Sequence, residues 1–89
     1  MEYFIYLARC SDASLYTGSC SDLAKRESDH NKGRGAIYTK YRRPVKIIYH
    51  ETFNDRISAC RREKQIKGWT RLKKENLIKF GHPNKLLTK

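Results

Sequence analysis

Short runs of aromatic and aliphatic residues alternate with polar turns along the chain, and that rhythm predicts its elements. Residues 3–8 form the longest apolar run, and 3–9, too short for a typical helix and rich in strand formers, predicts a buried strand. Ser11-Asp12-Ala13-Ser14 is turn chemistry, and residues 15–19 resume as a second strand, so the two make an antiparallel hairpin. Gly18 brings no side chain to that strand and marks a bulge or a close approach by another backbone or a ligand. Asp22 predicts the N-cap of a helix over 23–32 that ends at Gly33. A polar, basic loop leads to Pro44, and a third strand over 45–51 alternates Val45, Ile47 and Tyr49 against Lys46, Ile48 and His50. Asn54 or Asp55 caps a second helix to about Lys67, closed by Gly68. Thr70 starts a third over 71–80, stopped by Gly81 and Pro83. The order β-β-α-β-α-α predicts an α+β fold, a three-stranded antiparallel sheet flanked by three helices. It is expected as one domain over 1–82, followed by a basic tail at 83–89.

Length and composition narrow the class. Eighty-nine residues leave room for one hydrophobic core. No apolar run approaches the roughly 20 residues of a membrane span, and Met1-Glu2-Tyr3 opens without the basic run of a secretory signal. A cytoplasmic protein without a membrane partner is expected. The three cysteines, Cys10, Cys20 and Cys60, are odd in number and far apart. They read as reduced thiols packed as small hydrophobes, and with His30, His50 and His82 they match no zinc spacing.

Charge changes the picture more. The formal net charge is +11, unevenly spread. Residues 1–60 hold ten basic and seven acidic residues, net +3, while 61–89 hold ten basic and two acidic, net +8. Such a concentration is either a solvated helix surface or the footprint of a polyanion, and at this density nucleic acid is the favoured partner.

Several polar residues fall where a plain core would want apolar ones. Leu23, Arg26, Glu27 and His30 share one face of the first helix. Arg26 and His30 therefore either stand one turn apart at the sheet edge or form an exposed stripe with a snorkelling arginine. Ala59, Glu63 and Ile66 share a face of the second helix, and Glu63 is the only acid between Arg56 and Lys74. A carboxylate turned toward a core needs a paired arginine or a bound cation. A single-carboxylate Mg²⁺ site meets the second need, because that ion keeps several waters and takes the rest of its shell from substrate phosphate. Tyr6 and Tyr16 are neighbours across the hairpin, as packing or as chemistry.

Taken together, Phe4-Ile5-Tyr6, nine intervening residues, and Tyr16-Thr17-Gly18 resemble the GIY-YIG nuclease domain, in its small stand-alone branch. Arg26 falls where that family carries its arginine, His30 where it carries His or Tyr, and Glu63 at its metal-binding glutamate. Asn76 is a weaker match to an asparagine of some members. The resemblance spans about residues 3–80, with three departures: Phe4 for Gly, Thr17 for Ile, and Ser19 near where related nucleases often carry Lys.

The resemblance implies hydrolysis of phosphodiester bonds by an activated water, dependent on Mg²⁺ or Mn²⁺, in nucleic acid, with structured, single-stranded or damaged DNA favoured over RNA. Glu63 would hold the metal, Arg26 would grip the scissile phosphate, and Tyr6 rather than Tyr16 would take the proton. Free tyrosine, with a pKa of about 10, is roughly one part in a thousand ionised at pH 7, so Arg26, the metal and a hydrogen bond from His30 are expected to lower that value. Gly18 would leave room for substrate backbone. Arg61, Arg62, Lys64, Lys67, Arg71, Lys73 and Lys74 would hold the strand without sequence preference. The alternatives are a nucleic-acid-binding module of the same fold without useful turnover, and a domain that takes its specificity from a protein partner.

Overall fold

β1 (Tyr3–Arg9) is the middle strand of a three-stranded antiparallel sheet, with β2 (Leu15–Cys20) on one edge and β3 (Lys46–Phe53) on the other. The computed structural model describes residues 2–81, so the basic tail expected at 83–89 lies outside the described residues. Four helices complete the α+β fold: α1 (Leu23–Asn31), α2 (Ile37–Lys40), α3 (Arg56–Lys67) and α4 (Arg71–Phe80). Three stand where the sequence puts them; α2 is a single extra turn inside the expected polar loop. Among the described residues no helix is long and apolar enough to cross a membrane.

A central strand is covered on both faces, which is why β1 reads as nearly continuous apolar sequence. Ile5 and Leu7 point one way, into a cluster with Ala59 and Ile66 of α3 and Leu77 of α4. Tyr6 and Ala8 point the other way, into a cluster with Cys10 and Val45 that Tyr16, Cys20, Leu23 and Ile47 surround. The third strand departs from simple alternation. Leu7 pairs with Tyr49 and Ala8 with Ile47, so Ile48 is an extra residue in a bulge. Across that bulge Ile47 stays with Val45 on the Tyr6 face, whereas Tyr49 packs on the Ile5 face.

Local chemistry fixes the helix starts. The side chains of Asp22, Asp55 and Thr70 accept from the amides of Lys25, Ser58 and Lys73. Gly81 ends α4 at φ 82°, the left-handed conformation that favours glycine. Two α1 side chains anchor that helix to β3. Glu27 accepts from the Ile47 amide at 2.7 Å, and Asn31 bonds both backbone groups of Val45. With Glu27 engaged there, the neighbouring Arg26 and His30 are carried toward β1 and β2.

Candidate active site

Tyr6 is wholly buried, directly opposite Gly18 in the hairpin register. A Cβ on Gly18 would lie 2.5 Å from the Tyr6 hydroxyl, so the close approach marked by this glycine is that of the Tyr6 ring. Gly18 seats Tyr6; it does not leave room for substrate backbone, and the β1–β2 register runs through it without a bulge. The Tyr6 hydroxyl lies 2.7 Å from His30 Nε2, and His30 Nδ1 lies 2.8 Å from Thr39 Oγ1. Thr39 donates its one hydroxyl hydrogen to the Ala36 carbonyl at 2.9 Å. Its oxygen must therefore accept from Nδ1–H, which leaves Nε2 of a neutral imidazole to accept from Tyr6. Burial, then the nearby Arg26 charge, lowers the His30 pKa and keeps the ring neutral. On its other side His30 is covered by Gly35, where any Cβ would collide with Nδ1.

Burial also raises the Tyr6 pKa well above 10.0, and the adjoining Arg26 guanidinium offsets only part of that rise. For Arg26 and His30 the expected lowering is thus corrected: desolvation outweighs the cation, and His30 accepts from this phenol instead of donating to it.

Ser19, on the edge strand β2, joins the two helices that flank the sheet. Its carbonyl accepts from Arg26 of α1 at 3.1 Å, and its hydroxyl donates to Glu63 of α3 at 2.6 Å. Glu63 is thereby held at the β2 edge, with its other oxygen 2.7 Å from Lys67 Nζ. Burial alone would raise the Glu63 pKa, but the Lys67 and Ser19 hydrogen bonds and then the Lys67 and Arg26 charges prevail. The carboxyl sits below its usual range and is ionised at neutral pH. Its neutralising partner is a lysine one turn away, not an arginine. Tyr16, half-buried, completes the notch. Its ring centroid is 6.3 Å from that of Tyr6 and 5.4 Å from that of His30, and Lys67 Nζ stands 6.0 Å from its centre. A guanidinium and a lone carboxylate therefore meet through Ser19 at the β2 edge, with Tyr16 beside Lys67 and Tyr6 buried behind.

The chain matches known proteins in sequence and in fold. A family model described as the GIY-YIG catalytic domain matches residues 2–76. The chain belongs to the GIY-YIG family. It is 49% identical over 78 residues to a UPF0213 protein of Staphylococcus aureus strain N315, covering 88% of this chain and 95% of that one. The solution structure of the UPF0213 protein BH0048 from Bacillus halodurans is 34% identical with a TM-score of 0.59, over 92% of this chain and 87% of that one. The E. faecalis protein EF2693 gives 34% and 0.60, over 89% and 84%. GIY-YIG domains are a nuclease family that acts on nucleic acids.

The other residues singled out from the sequence divide by place. Lys74 lines a depression of about 190 Å³ with Tyr16, Thr17, Tyr38 and Lys67, beside the GIY-YIG tyrosines. Arg61, Lys64 and Lys73 are exposed on α3 and α4. Arg62 is engaged elsewhere: it pairs with Glu51 at 2.8 Å and lies over the Trp69 ring on the Ile5 face. Arg71 braces the hairpin turn through the Ala13 carbonyl and Glu75. Asn76 lines a separate hollow with Arg9, Glu75 and Phe80. Of the cysteines, only Cys10 is buried; Cys20 is half-buried and Cys60 exposed, and all three are free thiols. Sequence reasoning missed Thr39, Gly35 and the tie made by Ser19. An i, i+4 spacing from Glu63 to Lys67 was the one local signal available for the ion pair.

Proposed function

We propose that this protein is a divalent-metal-dependent endonuclease that hydrolyses phosphodiester bonds, in DNA before RNA. The observation that carries the reading is the convergence of Arg26 and Glu63 on Ser19, beside a tyrosine that reaches solvent. Beside Arg26, an ionised carboxylate and the Ser19 hydroxyl offer oxygen donors. Among the described residues no group of three or more His, Cys, Asp or Glu side chains gathers. One carboxylate with water and phosphate oxygens suits Mg²⁺ or Mn²⁺ and does not suit zinc. Glu63 would hold such an ion, which supplies positive charge against the phosphate as negative charge develops there.

Arg26 presents a fixed, planar cation to the same phosphate. Because Tyr6 is sealed from solvent, Tyr16 is the phenol that meets the attacking water. Tyr6, bonded to His30 and flanked by Arg26, aligns Tyr16 and Arg26 from behind. Lys67, Lys74, Arg61, Lys64 and Lys73 hold the strand through its charge. The Lys67–Glu63 ion pair favours a second reading, a binding module in which the carboxylate is neutralised by its own chain.

Plasmid nicking by wild type and Glu63→Gln, with Mg²⁺ and with EDTA, separates the two. The nuclease reading expects metal-dependent nicking by wild type alone, with DNA binding kept in the variant. Nicking that persists in EDTA overturns the metal requirement. Binding without any nicking by wild type leaves the module.

A further inference from the structure

The two inner residues of α2 belong to the candidate active site. Thr39 is fully buried against His30, and the Tyr38 ring stacks on Tyr16 with centroids 6.0 Å apart and planes at 25°. The outer side of the same turn is different. Ile37 and Tyr41, four residues apart and therefore on one side of the turn, are 82% and 77% exposed. A lone exposed apolar residue is ordinary; two large ones, at the first residue and the C-cap of one helical turn, are a patch.

That patch belongs to a cation-rich segment of the chain. Lys32, Arg34, Lys40, Arg42, Arg43 and Lys46 fall between Asp29 and Glu51 with no acid among them. Of these six, among the described residues, only Arg42 has a carboxylate ion pair, with Asp12 at 3.1 Å. Arg42 and Arg43 are also tied to the Tyr38 and Lys40 carbonyls, at 2.8 and 3.0 Å, so their charge is fixed at the end of the turn. A shallow depression of about 540 Å³ lies alongside, lined by Asn31, Lys40, Tyr41, Arg43 and Pro44. Apolar surface flanked by Lys40, Arg42 and Arg43, with Asp12 paired to one of them, fits a polymer that offers flat apolar rings and phosphates together.

We propose that residues 32–43 form a second nucleic-acid contact, in which Ile37 and Tyr41 pack against base faces of the bound strand while the surrounding cations hold its phosphates. The proposal rests on the nucleic-acid reading of the neighbouring notch and adds a contact outside it. The turn carries strand contact on its outer side and the back of the tyrosine–histidine array on its inner side, so the strand is led from this patch toward Tyr16.

The test is the double variant Ile37→Ala/Tyr41→Ala, titrated with a single-stranded DNA oligonucleotide carrying 2-aminopurine. Stacking on aromatic side chains predicts a loss of affinity of about tenfold or more. The salt dependence should keep its slope, because no charge is removed. Wild type should quench the 2-aminopurine, and the variant should not. By contrast Lys40→Ala should flatten the salt slope. Both sites are exposed, so an unchanged melting temperature certifies the fold of the double variant. Wild-type affinity and wild-type quenching in that variant would overturn the proposal. So would a dimer in sedimentation that the variant dissolves, since the patch would then be covered by a second copy. Affinity and quenching are read in EDTA, without hydrolysis, so the outcome stands apart from whether the hydrolytic reading survives.

Discussion

The two faces of β1 are equally buried and do opposite work. On one side Ile5 and Leu7 meet Ala59, Ile66 and Leu77, contacts without direction that any well-shaped apolar group could make. On the other side Tyr6 meets His30, and His30 meets Thr39, through hydrogen bonds that each require a particular donor and acceptor. Burial strengthens both, but by different physics. The aliphatic face gains from area removed from water. The polar face gains rigidity only while every member is satisfied, because an unpaired polar group costs most where water is absent. Under the proposed function, alternate residues of one strand set stability and chemistry separately, and substitutions should separate them too.

The largest effects should split along that line. Arg26→Ala, on the chemical side, should lower the cleavage rate on the order of 10²–10³-fold by removing charge from the phosphate. Tyr16→Phe should lower it on the order of 10²-fold or more, with little change in melting temperature. Leu7→Ala, on the aliphatic side, should cost about 2–5 kcal/mol in denaturant unfolding yet leave the rate per folded molecule unchanged. A Leu7→Ala rate defect as deep as that of Tyr16→Phe would break the division. Gly35→Ala comes next. The added methyl meets His30 Nδ1 and must displace the imidazole, costing about 1–3 kcal/mol and reducing the rate through Tyr6.

Smaller, and confined to the polar face, is a dependence of stability on pH. His30 titrates at 6.5 when unfolded and lower when folded, so its contribution is complete above 6.5 and declines as pH falls toward the folded value. Asp29 opposes this lowering, whereas Arg26 reinforces it. Tyr6 is raised above its ordinary 10.0, so its contribution is complete below 10.0 and declines as pH rises beyond it. Unfolding curves of wild type against His30→Gln should differ most in slope below pH 6.5. Parallel curves there would place the charged imidazole comfortably in the fold.

What the sequence disclosed was what local chemistry determines. Asp55 and Thr70 cap the helices they were expected to cap, and the hairpin runs as read, because caps and turns are decided within a few residues. The bulge at Ile48 depends on pairing with β1, so strict alternation placed Tyr49 on the wrong face. α2 was invisible for a similar reason. Ala36 offers no side-chain cap, and the turn is held by Thr39 on His30 and by Arg42 and Arg43 on its carbonyls. At the site, the matching tripeptides led to Tyr6 and Tyr16 and their spacing onward to Arg26 and Glu63, but not to the order of dependence among them. Gly35 lay within the polar, basic loop, whereas its missing side chain is what lets His30 approach.

Two threonines give the finest test of the comparison, because the same isosteric swap should change sign between the faces. Thr17 lies opposite Leu7 in the register, and its hydroxyl is buried without a hydrogen-bond partner. Such a group destabilises by about 1–3 kcal/mol, and valine keeps its shape while removing it. Thr17→Val should therefore stabilise by about 1 kcal/mol, a rise of about 4–8 °C for a domain of this size, and leave cleavage alone. Thr39 is equally buried but accepts from His30 Nδ1, so Thr39→Val strands that N–H and should destabilise by about 1–3 kcal/mol. It should also free the ring that orients Tyr6 and slow cleavage. If both swaps stabilise, the Tyr6–His30–Thr39 chain is not under tension from its partners, and the polar face would be packing after all.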